Sequence, residues 1–142
     1  MTNLIQIKMN IKEFANKSLD FTAKRVSEVF GITLIIISTL LLISFLSYSP
    51  EDPNFIFKKN VQIKNLIGFQ GSYISDLFFQ TIGFISFLIP ISIFFTGIKI
   101  FRDKKLFIIL DNLFFIVLYC IFGSLFFSTF YPDSFKLVIN GN

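Results

Sequence analysis

The chain contains no histidine and no tryptophan, one cysteine and four prolines. Without histidine, the commonest metal ligand and the usual general base are both missing. The lone thiol, Cys120, permits neither an internal disulfide nor a thiolate metal site. Charge is also scarce: Asp, Glu, Lys and Arg make up 15% of the residues, against about a quarter in an ordinary soluble domain. No G-x-x-x-x-G-K-[ST] run occurs, so the usual cradle for nucleotide phosphates is missing. No catalytic, cofactor-binding or metal-binding residues are therefore expected in this stretch. The net charge of +4 does not point to direct nucleic-acid binding, because no basic stripe is interleaved with aromatics.

What the chain has in quantity is apolar side chains. They make up 54% of its 142 residues, with 22 Phe among them. They lie in long runs, which is the mark of an integral membrane protein. Val29–Ser47 is 19 residues without a charge, about 28 Å of helix and enough to cross the hydrocarbon core. Leu77–Ile98 gives 22 more, and Leu106–Tyr131 a third run with Asp111 early in it. The expected fold class is all-α integral membrane, with three transmembrane helices at about 27–48, 73–100 and 106–131. An amphipathic helix precedes them. In it Leu4, Ile7, Ile11, Phe14 and Phe21 recur at three- and four-residue spacing, with lysines elsewhere. That segment reads either as a helix lying on an anionic membrane surface or as a loosely structured tail. Residues 1–25 form this cytoplasmic segment and 26–142 the membrane domain.

The first span stops at Ser47-Tyr48-Ser49-Pro50-Glu51-Asp52-Pro53-Asn54-Phe55. A residue before proline is pushed out of the α region, and Ser49-Pro50-Glu51-Asp52 fits a type I turn. The second helix is expected to begin near Ser72 or Tyr73. Asp76 then falls in its first turns, near the water interface. Pro90, inside the run, is expected to clash with the carbonyl of Ser86 and kink the helix. Cys120, Ser124 and Ser128 recur every four residues beside Gly123, which is either a close-packing face or the ordinary abundance of small residues in spans. Lys99, Arg102, Lys104 and Lys105 crowd the short link between the last two spans. The positive-inside rule then puts that link and the N-terminus in the cytoplasm, and the Glu51–Gln70 loop outside.

Asp76, Gln80 and Asp111 raise the question of an ion path. However, Asp111 lies roughly 9 Å along the helix from Lys105 at the inner face, while Asp76 is at the outer end. A packing role is therefore favoured, with Asp111 expected to pair with a link lysine or with Asn112 and water.

Together these pieces resemble the N-terminal membrane domain of the FtsK/SpoIIIE family of bacterial DNA translocases. The resemblance rests on Arg25-x-x-Glu28-x-x-Gly31, then the Ser47-to-Phe55 stretch (Ser47, Tyr48, Ser49, Pro50, Asp52, Pro53 and Phe55). Asn65-Leu66-x-Gly68 and Gly71-Ser72-x-x-x-Asp76 follow, then Pro90 and Gly97. It implies a structural role for these residues. It also implies a multi-pass inner-membrane anchor at the division septum, serving cell division and chromosome partition, with the lipid bilayer, other copies of itself and septal division proteins as partners. The family domain has four spans and a motor beyond them, so the chain is expected to be a truncated or split product without its ATPase. The alternatives are a small unrelated membrane assembly subunit, a holin-like protein or, less favoured, a transporter fragment.

Overall fold

The computed structural model describes residues 2–53 and 62–131. It is helical throughout its ordered elements, and three of its helical stretches are long and apolar enough to cross a membrane. Helix α1 spans Thr2–Leu46. Its 45 residues reach about 67 Å, more than twice the hydrocarbon core. The N-terminal segment is thus helical and runs into the first span without a break. Phe14 and Phe21 lie well exposed on it.

Helix α2 (Phe69–Ile82) is followed by a five-residue 3₁₀ turn (Gly83–Phe87), and then by α3 (Leu88–Asp103) and α4 (Ile108–Phe130). The second apolar run is therefore not one kinked helix. It breaks at Gly83, whose φ of 63° an L side chain adopts only with strain. Pro90 comes third in α3, within the first turn, where a missing N–H leaves no helical bond unmade. Ser86 lies in the 3₁₀ turn just before the proline. Its hydroxyl donates to the carbonyls of Phe78 (2.9 Å) and Gly83 (2.6 Å). One hydroxyl hydrogen is thus shared between two carbonyls at the break, the kind of side-chain partner that a membrane interior favours.

Helix α3 runs back along α1, whereas α2 lies across the C-terminal end of α1. Gly71, Asp76 and Phe79 are spread over about 12 Å of α2, yet all of them contact α1 or the chain just after it between Ser44 and Tyr48. Packed here are Phe45 and Phe79, both nearly fully buried, with Leu41, Tyr48, Phe78 and Phe87 around them. Ring centroids in the cluster lie 4.8–6.0 Å apart, in the range where tilted aromatic pairs attract beyond their area.

Along the shared face of α1 the small residues Ser27, Gly31 and Ser38 are buried. Small residues let helices approach in lipid, where no hydrophobic drive pulls them together. Helix α4 keeps to within two residues of its expected bounds at each end and has no buried residue. Gly123 packs against Ile85 of the 3₁₀ turn. Of the small-residue stripe, Ser124 is half-buried beside it and Ser128 is exposed.

Candidate functional site

The signature residues gather at the two ends of the α1–α3 pair. At one end Arg25 and Glu28 lie on successive turns of α1, with Arg25 Nη1 2.6 Å from Glu28 Oε2. The other carboxylate oxygen takes Lys104 Nζ at 2.7 Å. Lys104 sits just past α3 in the left-handed conformation (φ 55°) and closes that helix by donating its N–H to Ile100. One acid thus ties the start of the first span to the end of the second. One turn deeper the backbones touch. A Cβ added to Gly31 would stand 2.8 Å from the Gly97 carbonyl and 2.8 Å from the Phe101 nitrogen. A Cβ added to Gly97 would stand 2.8 Å from the Gly31 carbonyl.

At the other end the loop is clamped. Helix α1 stops at Leu46, and the turn after it closes through the Asp52 N–H to the Ser49 carbonyl at 3.1 Å. Pro50 stands exposed on that turn. The buried Asp52 carboxylate accepts from the backbone N–H groups of Lys64 (2.8 Å) and Asn65 (2.9 Å), one on each oxygen. Buried Asn65 donates through Nδ2 to the Ser44 carbonyl at 2.9 Å and accepts the Ile67 N–H at 3.0 Å. Ser47 Oγ accepts the Leu66 N–H, and Ser44 Oγ donates to the Gly71 carbonyl. The Pro53 carbonyl accepts from Ser72 Oγ at 2.9 Å. Gly68 leads into α2 with φ 77°. A Cβ on Gly71 would fall 2.3 Å from Asn65 Oδ1, so the clamp requires glycine there. On the rim Lys64 pairs with Glu51, whose carboxylate holds the ammonium above its usual range.

Asp76 lies two turns into α2, because that helix begins at Phe69 rather than near Ser72. It is buried, and its two oxygens accept from Tyr48 Oη (3.1 Å) and Gln80 Nε2 (2.8 Å). Tyr48 therefore turns its hydroxyl to an acid of the protein, not only towards headgroups. Asp111 is exposed in the first turn of α4 and makes no ion pair or hydrogen bond among the described residues. Asn112 is taken by Thr96 (2.8 Å). The two acids lie at opposite ends and do not form one path. Phe55 falls outside the described residues.

Three contributors escaped the sequence reading. Ser44 is one polar residue inside an apolar run, Lys104 one of four cations in the link, and Gly83 an isolated glycine. Steps of four, seven and seven through Ser27, Gly31, Ser38 and Phe45, which keep one helix face, were the available signal for the packing face.

Residues 23–141 match the family model described as the 4TM region of DNA translocase FtsK/SpoIIIE. Among curated proteins, DNA translocase FtsK of Rickettsia prowazekii is 37% identical over 71 residues, 50% of this chain and 10% of that protein. DNA translocase FtsK of Rickettsia bellii is 35% identical over 78 residues, 55% of this chain and 10% of the relative. That of Azospirillum brasilense is 29% identical over 80 residues, 55% of this chain and 13% of the relative. The matched stretch thus spans about a tenth of the length of these relatives. No solved structure matches the chain.

Proposed function

The chain belongs to the family of 4TM regions of the FtsK/SpoIIIE DNA translocases, and from that membership we propose that it is a septal membrane anchor. In this reading it seats a translocase in the cytoplasmic membrane of a dividing bacterium, binds other copies and division proteins, and performs no chemistry itself. The observation that carries the reading is the use made of the signature. Arg25, Glu28, Gly31, Gly97, Asp52 and Gly71 are spent on joining helices and fixing the loop. The sides of the helices remain broadly apolar, and α4 in particular is left for lipid and partners. A fluorescent protein fused ahead of the full chain is expected to gather as a band at constricting midcells. An even rim around the cell would overturn the septal role.

The charge pattern supports an N-terminus in the cytoplasm. Arg25 and Lys104 share one end of the bundle, so the two cation clusters that favour the inner face lie together. A reporter active only outside the membrane is expected to give signal when inserted at Asn60 and none at Lys104. The reverse pattern would invert the orientation.

A further inference from the structure

We propose that the cleft between α3 and α4 holds one anionic phospholipid. The cleft encloses about 290 Å³. Its lining is mostly apolar, with Ile91, Phe95, Phe115 and Ile116, and carries a few polar groups among them. Ser92 and Tyr119 hydroxyls meet at 3.0 Å, and Asn112 Nδ2 donates to Thr96 Oγ1 at 2.8 Å. One amide hydrogen of Asn112 remains over from that bond. Phe95 and Phe115 flank the opening, 64% and 60% exposed. Lys99 stands at the mouth.

The position of Lys99 decides the chemistry of the occupant. It lies five residues before Lys104, about 7 Å deeper along α3, where a long exposed side chain can reach back to the headgroups. A cation there needs an anion. The nearby acids are outnumbered: Asp103 holds Arg102 at 2.9 Å and also feels Lys99 and Lys105 through space, and Glu28 holds Lys104. Lys99 and Lys105 make no ion pair among the described residues. Asp111 is exposed on α4 and is not among the residues lining the cleft. A basic mouth between two spans at headgroup depth suits a lipid phosphate. The size of the cleft decides against a helix. A helix about 10 Å across needs a far wider groove, whereas a single acyl chain between Phe95 and Phe115 does not. The assignment needs only that Lys99 lies at headgroup level, whichever side faces the cytoplasm.

Native mass spectrometry of the full chain in detergent tests this with phosphatidylglycerol and phosphatidylcholine of matched acyl chains. Phosphatidylglycerol is expected to be retained as a single bound lipid in clear preference to phosphatidylcholine. Lys99→Gln, at an exposed position that leaves the fold intact, is expected to cut that preference about fivefold, the usual worth of one cation at a lipid surface. Lys64→Gln, at the opposite end, is expected to leave it unchanged. Equal retention of both lipids, or a preference that survives Lys99→Gln, would overturn the proposal. So would a lipid-free dimer, which would give the cleft to a second copy.

Discussion

Gly31→Ala is expected to destabilise the purified chain even though alanine is the better helix former. Helix propensity alone predicts a gain of about 1 kcal/mol for this change. The crossing predicts a loss. The new methyl would stand 2.8 Å from both the Gly97 carbonyl and the Phe101 nitrogen, and these are backbone atoms that cannot swing aside. Overpacking of this kind costs about 1–3 kcal/mol, and more where a backbone must move. Gly31→Leu extends the series and is expected to lose about 3 kcal/mol, a fall of roughly 10 °C in Tm. Leucine favours membrane insertion, so the loss reports packing and not failure to insert. Thermal unfolding followed by circular dichroism gives the sign directly. A rise in Tm for Gly31→Ala would mean that the helices do not touch there.

Asp52→Asn and Asn65→Ala carry the second large effect. Each Asp52 oxygen takes one backbone N–H. The asparagine isostere keeps the shape but turns an amide N–H towards one of those donors. A buried donor left without an acceptor costs about 1–3 kcal/mol, and a charged acceptor is worth more than a neutral one. Asp52→Asn is therefore expected to cost about 2–3 kcal/mol. Asn65→Ala is expected to cost a similar amount, because the Ile67 N–H loses its acceptor and the link to Ser44 goes. Asp52 accepts the backbone N–H of the residue whose side chain the second variant removes, so the two sites adjoin in one network and the double variant should fall short of the sum. Full additivity would show that the clamp is not one unit.

These two effects also mark how far the sequence could be read. The spans were legible because hydrocarbon demands long apolar runs, and α4 ends within two residues of the expected positions. The helix stop after Leu46 was legible from Pro50 and Pro53. The break at Gly83 was not, because a proline seven residues later offered a stronger local reason for a kink. Only the fold shows Pro90 in a first turn where it costs nothing. Asp76 looked like an interfacial acid because Tyr48, at 28 residues' separation, is joined to it only by the crossing of α2 over α1, while Gln80 is its neighbour one turn on along α2 itself. The pairing of Glu28 with Lys104 likewise spans most of the domain. Gly31 and Gly97 both stood in the signature as separate members, and their contact is a property of the folded helices.

The central claim is that the signature builds an anchor and does no separate work at the septum. The most direct measurement scores folded fraction and midcell recruitment in the same cells for the Gly31, Asp52 and Asn65 variants. Recruitment is predicted to fall in step with folded fraction across the set. A variant that folds like the parent chain yet is absent from the septum would contradict the account, because it would show a signature residue contacting a partner rather than holding the helices.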